Sequence, residues 1–161
     1  MIGPKEKKEE EREKKVSQGD SIASEEIMGG GKSKGSTEIK SLGNTLSQDA
    51  SLKPNEQLVS NNGRYKLVYQ LDGNLVAYDN EAKDNYGHPA VHKAVWSTGK
   101  ITGPGRTVMQ NDGNLVCYDS KNEPYWSSET VGKGKPSYGL VVQDDGNIVL
   151  YDSTGKPTWA M

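Results

Sequence analysis

Five side chains recur at every second position in three stretches of this chain. The first stretch carries Gln70, Asp72, Asn74, Val76 and Tyr78, and the second carries Gln110, Asp112, Asn114, Val116 and Tyr118. The third carries Gln143, Asp145, Asn147, Val149 and Tyr151. An amide and a phenol both donate and accept hydrogen bonds, a carboxylate only accepts, and a branched methyl group offers apolar contact. If each copy runs on as a β-strand, alternate side chains share a face and stand in one row. Such a row is polar with a single charge, which suits a neutral polyhydroxylated ligand. The Asp-Gly step inside each copy, at Gly73, Gly113 and Gly146, also fits a hairpin with a tight turn near 71–73 or a bulge. Pattern alone does not separate these readings.

Catalysis asks for more than a row supplies. Glycoside hydrolysis needs two carboxyl groups about 5–10 Å apart across the scissile bond. Each row has one carboxylate; Asp144 precedes Asp145 but belongs to the opposite face. The chain therefore reads as a binding protein and not an enzyme. His88 and His92 stand four apart with Pro89 between them, and Asp84 is a third ligand only in principle. No Cys or Glu completes a zinc-like set there, so neither metal nor cofactor is expected. Cys117 is the single cysteine, which rules out an intrachain disulfide. It fills the slot of Ala77 and Leu150, off the row, and reads as a small buried hydrophobe.

The elements that position the rows follow from what flanks them. An apolar run precedes each copy, at 65–69, 107–109 and 140–142, and a Trp-bearing run follows, at Trp96, Trp126 and Trp159. Trp126 and Trp159 lie 16 residues after the first Gln of their copies, but Trp96 lies 26 after Gln70. The first copy thus holds a ten-residue insertion within 79–93, polar and broken by Gly and Pro as a surface loop should be. Leu46, Leu52, Leu58 and Val59 mark two or three more short strands. About twelve strands result, with no helical periodicity. Three copies of one antiparallel unit predict a closed threefold arrangement whose core takes the three Trp residues with Leu75, Leu115 and Ile148. An open solenoid would leave unprotected edges.

Residues 1–43 differ in kind. Residues 1–40 hold nine basic and nine acidic side chains and no aromatic, so burial cannot repay their ordering entropy. A charged, disordered N-terminal tail over 1–43 and one folded domain over 44–161 are expected. No signal peptide and no run long enough to span a membrane is legible. The net charge of -2 makes a phosphate-binding surface and a nucleic-acid partner poor readings. The lone cysteine and the missing leader favour the cytoplasm, or secretion by a route without a signal peptide.

The tripled Gln-x-Asp-x-Asn-x-Val-x-Tyr row trailed by Trp resembles the bulb-type, snowdrop-lectin-like mannose-binding lectins, over about residues 42–161. The resemblance implies a β-prism II fold, with three four-stranded antiparallel sheets about a pseudo-threefold axis, each binding one mannose without metal. It implies that Asp72, Asp112 and Asp145 accept from, and Asn74, Asn114 and Asn147 donate to, the axial O2 hydroxyl. Gln70, Gln110 and Gln143 would reach O3, and Tyr78, Tyr118 and Tyr151 would bond O4. Val76, Val116 and Val149 would touch C3–C4. The partners implied are mannose-containing glycans or glycoproteins, met by a monomer or a homodimer. Plant members carry a cysteine where Gly73, Gly113 and Gly146 stand, so a non-plant member is expected, similar to comitin in lacking a signal peptide. The first strand, near Leu46, would close the third sheet. An alternative keeps the β-prism but uses it as a protein-binding or assembly module, with the charged tail carrying partner contacts.

Overall fold

Short apolar runs punctuated by Asn, Asp and Gly fold here as strands and tight turns. The computed structural model of the chain describes residues 38–89, 92–99 and 102–161, and the chain divides between Ser41 and Leu42. Of the first unit, residues 38–41 are described and include the two-residue strand β1 (Lys40–Ser41). The rest of the expected tail, residues 1–37, lies outside the described residues. Leu42 and Gly43 take part in the second unit: the Leu42 N–H donates to the Gln57 carbonyl at 2.9 Å, and the Gly43 carbonyl accepts from Val59 at 2.8 Å.

The leading segment of the second unit gives β2 (Thr45–Ser47), β3 (Ser51–Leu52) and β4 (Glu56–Val59). Three antiparallel triplets follow: β5 (Tyr65–Tyr69), β6 (Leu75–Asp79) and β7 (Lys93–Ser97); β8 (Pro104–Met109), β9 (Leu115–Asp119) and β10 (Pro124–Ser127); β11 (Gly139–Val142), β12 (Ile148–Tyr151) and β13 (Pro157–Ala160). Within this unit the hydrogen-bonded orders are β4-β5-β6-β7, β3-β8-β9-β10 and β2-β11-β12-β13. Each leading strand therefore serves a different sheet. Leu46 of β2 pairs with Leu140 of β11, so the strand near Leu46 closes the third sheet as expected. This is the all-β, β-prism architecture read from the sequence.

One face of every sheet is inward. Leu46, Leu52, Leu58, Leu75, Leu115 and Leu140 are at most 1% exposed. The Trp residues meet at the convergence of the triplets. Trp96, Trp126 and Trp159 make three edge-to-face pairs with centroids 5.5, 5.7 and 6.0 Å apart, each worth about 0.5–1.5 kcal/mol beyond area burial. They are half-buried and pack against the buried cluster, whereas the sequence reading places them inside it. Each lies opposite the slot after the motif valine: Trp96 on Ala77, Trp126 on Cys117 and Trp159 on Leu150. Cys117 is wholly buried, and that burial pushes its thiol up to about 11.

Close packing also explains the motif glycine. Gly113 and Gly146 have φ of +90° and +91°, and a Cβ on either would stand 2.9 Å from the ring of Tyr138 or Tyr65, respectively. Backbone conformation and steric contact both demand glycine there.

Candidate functional site

The repeated row is assembled by a hairpin and not by one continuous strand. Strand pairing stops at Tyr69 and resumes at Leu75, so Gln70, Asp72 and Asn74 stand in the loop while Val76 and Tyr78 stand on β6. The left-handed glycine is the reason, since it turns the chain out of the ladder. The loop closes identically in each copy. Gln70 N–H donates to the Asn74 carbonyl at 3.0 Å, Gln110 to Asn114 at 2.9 Å, and Gln143 to Asn147 at 2.9 Å. The motif aspartate then fixes the turn: Oδ1 of Asp72, Asp112 and Asp145 accepts the N–H of Asn74, Asn114 and Asn147 at 2.9 Å each.

The five side chains of each copy gather on the outer face. The Gln side chain and the Tyr hydroxyl are hydrogen-bonded to each other in all three copies. The carboxylates are exposed, while the Asn and Tyr side chains are half-buried. Val76, Val116 and Val149 are only 4% exposed, so they form a floor more than a wall. Each lies opposite another valine on the preceding strand: Val68, Val108 and Val141.

The Asn side chains are held from outside the motif. Asn74 Oδ1 accepts from the Thr98 hydroxyl at 2.7 Å and the Gly99 N–H at 3.1 Å. Asn114 Oδ1 accepts from the Ser128 hydroxyl at 3.1 Å and the Thr130 N–H at 3.2 Å. Among the described residues nothing takes the Nδ2 hydrogens of these two amides, nor the second oxygen of Asp72 or Asp112. Each of the first two copies thus presents a fixed donor beside a fixed acceptor. In the third copy Asp145 also accepts from Gln143, and together with the stronger Asn147 N–H bond this holds its carboxyl below the usual range.

The preceding strand supplies further neighbours. Tyr78 lies opposite Lys66, Tyr118 opposite Arg106, and Tyr151 opposite Gly139. Lys66 Nζ is 5.7 Å from the Tyr78 ring centroid, and the Arg106 guanidinium is 4.7 Å from that of Tyr118. Thr98, Ser128, Lys66 and Arg106 were outside the sequence reading. Their signal is positional: two residues past the Trp, and two before the strand valine of the preceding run.

The insertion lengthens the β6–β7 hairpin and repeats its turn. Asp119 accepts the N–H groups of Lys121 and Glu123, and Asp152 those of Thr154 and Lys156. In the first copy Asp84 takes that role, accepting from Tyr86 at 2.8 Å and His88 at 2.9 Å. Asp79 keeps one turn bond, from the Glu81 N–H at 2.9 Å, and pairs in bidentate fashion with Arg64 at 2.8 and 2.9 Å. The two histidines of the insertion have different partners: His88 contacts Asp84 at 3.2 Å, and His92 contacts Asn80 at 2.9 Å. His92 also meets the Tyr78 ring edge-on at 6.4 Å. Burial, with a smaller push from Lys66, holds its imidazole below the usual value. No group of three or more His, Cys, Asp or Glu side chains converges on a metal position among the described residues. Nor is any helix of the described residues long and apolar enough to cross a membrane.

No family model matches the chain. The B-type lectin plumieribetin of Scorpaena plumieri is 43% identical over 51 residues, a match spanning 30% of this chain and 45% of that protein's length. A monomeric monocot mannose-binding lectin from Gastrodia elata superposes with a TM-score of 0.61 at 34% identity, covering 73% of this chain and 94% of that one. The mannose-specific agglutinin of snowdrop, Galanthus nivalis, solved with methyl-α-D-mannoside, gives 0.56 at 34% identity, covering 68% and 90%. The lectin of Marasmius oreades gives 0.66 at 27% identity, covering 76% and 94%.

Proposed function

The chain belongs to the bulb-type mannose-binding lectin family, and from that premise we propose that it binds mannose or mannose-rich glycans, without metal, at up to three outer-face rows. One observation carries the reading: in each of the first two copies an Asn donor is clamped beside an Asp acceptor, above a valine floor. The axial O2 hydroxyl of mannose both donates and accepts, and it meets that pair. Gln70, Gln110 and Gln143 take O3, and Tyr78, Tyr118 and Tyr151 take O4. Val76, Val116 and Val149 lie under the ring. A sugar with equatorial O2 leaves the Asp/Asn pair unsatisfied, which is how a polar site rejects an analogue.

A row on an open sheet covers one side of a monosaccharide, and each new bond displaces a water bond. Affinity for free mannose is therefore about millimolar. Rows on separate sheets of one rigid unit gain from a branched mannan, because one bound arm raises the effective concentration of the next. The test is a titration of the protein in chelator with mannose and with galactose, following the amides of Asn74, Asn114 and Asn147. Shifts with mannose and weaker ones with galactose are expected. Silence at all three amides sinks the reading.

A further inference from the structure

Resting on that reading of the rows, we propose that Thr98 and Ser128 are positioning residues for the first two sites, and that Met161 leaves the third row the weak one. The three residues occupy one structural position. Their N–H groups donate to the carbonyl that opens the motif strand: Thr98 to Leu75 at 3.0 Å, Ser128 to Leu115 at 2.9 Å, and Met161 to Ile148 at 3.0 Å. What differs is the side chain.

A hydroxyl at this position does two things at once. It accepts the N–H of the strand's first residue, Leu75 at 3.3 Å or Leu115 at 2.9 Å. It then spends its own hydrogen on the Asn oxygen, at 2.7 Å for Asn74 and 3.1 Å for Asn114. Ser128 is itself 7% exposed, and its hydroxyl also lies 2.7 Å from that of Thr130, which gives its own hydrogen to the Gly113 carbonyl at 2.6 Å; Ser128 therefore shares its one hydrogen between Thr130 and the Asn114 oxygen, a weaker clamp than the one Thr98 makes. With Oδ1 committed to two donors, the amide has one orientation, and Nδ2 faces outward as a donor.

Methionine has no hydrogen to give and only a weak acceptor sulfur. The consequences run through the third row. The Ile148 N–H, with no hydroxyl to receive it, donates at 3.0 Å to Asn147 Oδ1, which turns that amide to its own backbone. Gln143 Nε2 bonds both oxygens of Asp145 at 3.2 Å, while Tyr151 donates to Gln143 Oε1. In the other copies the Gln amide nitrogen donates to the Tyr oxygen instead. A sugar entering the third row must break the Gln143–Asp145 contact and reorient Asn147; in the first two rows the donor and acceptor are set beforehand. Preorganisation is affinity that binding does not have to supply.

The experiment is a proton–nitrogen NMR titration of the full chain with methyl α-mannoside, reading the side-chain amides of Asn74, Asn114 and Asn147. Asn74 and Asn114 are expected to saturate at concentrations about tenfold or more below Asn147, the weight of one neutral hydrogen bond or more. Thr98→Val and Ser128→Ala each weaken their own row about tenfold and leave the other row untouched, and Thr98→Ser restores the first. Met161→Ser tightens the third row. Saturation of all three amides within twofold of one another in the parent chain overturns the proposal while leaving mannose binding intact. A parent chain in which no amide responds overturns both.

Discussion

Asn114→Asp separates binding from folding at a single atom. The Asn114 oxygen accepts from Ser128 at 3.1 Å and Thr130 at 3.2 Å, and a carboxylate accepts those same two bonds. The clamp therefore survives, and the fold should lose roughly 1 kcal/mol or less. The change falls on the outward nitrogen, which becomes an oxygen beside the Asp112 carboxylate. The sugar hydroxyl then loses its donor, worth about 0.5–1.5 kcal/mol, and faces two acceptors with one hydrogen to share. A cost of about 2–3 kcal/mol follows, or a factor of roughly 30–150 in affinity. A row of about millimolar affinity becomes undetectable with monosaccharide. Asn114→Ala is the contrast, because it removes the clamp as well and leaves Ser128 and Thr130 without that acceptor. It should lose stability as well as binding. The assay pairs thermal melts with mannose titrations resolved by row. An Asn114→Asp protein that binds at the second row within threefold of the parent refutes the reasoning. So does one whose first row fails alongside the second.

Gly146→Ala should cost about 2–4 kcal/mol and lower Tm by roughly 10 °C, from left-handed strain plus a Cβ 2.9 Å from the Tyr65 ring. Gly155→Ala, at φ +80° with open space around it, should cost about 1 kcal/mol, and equal losses in the two melts contradict the steric account. Cys117 should react with a thiol reagent only as the chain unfolds, because its thiol sits at about 11 and is wholly buried; rapid native labelling contradicts this. The His92 ring should titrate below 6.5, and Lys66→Gln should raise its midpoint by NMR. The unfolded chain takes that proton first, so stability falls as pH drops through 6.5 toward the folded midpoint, and a His92→Gln protein should lose that slope. Removing residues 1–37, which lack aromatic side chains, should leave Tm and mannose binding unchanged; a clear drop in either contradicts the tail assignment.

Much of this protein is local in origin and was legible for that reason. The Gln, Asp, Asn, Val and Tyr spacing, the trailing Trp and the isolated leading leucines specify short strands with one apolar face. Three copies of a unit that cannot bury its face alone must close on one another. The burial of Leu75, Leu115, Ile148 and Cys117 follows from alternation, and Leu46 does complete the third sheet. The strand-or-hairpin choice was not legible, because Asp-Gly fits both; packing of Tyr138 and Tyr65 on Gly113 and Gly146 accompanies the turn. Nor did the spacing reveal that the insertion builds the two-bond turn at Asp84 while Asp79 keeps one N–H and pairs with Arg64. The inequality of the rows was the most hidden. In the motif itself the three rows carry the same five side chains. Their differences come from Thr98, Ser128 and Met161 on one side and Lys66, Arg106 and Gly139 on the other. Those residues reach the rows through backbone pairing across neighbouring strands, a proximity that only the closed sheets create.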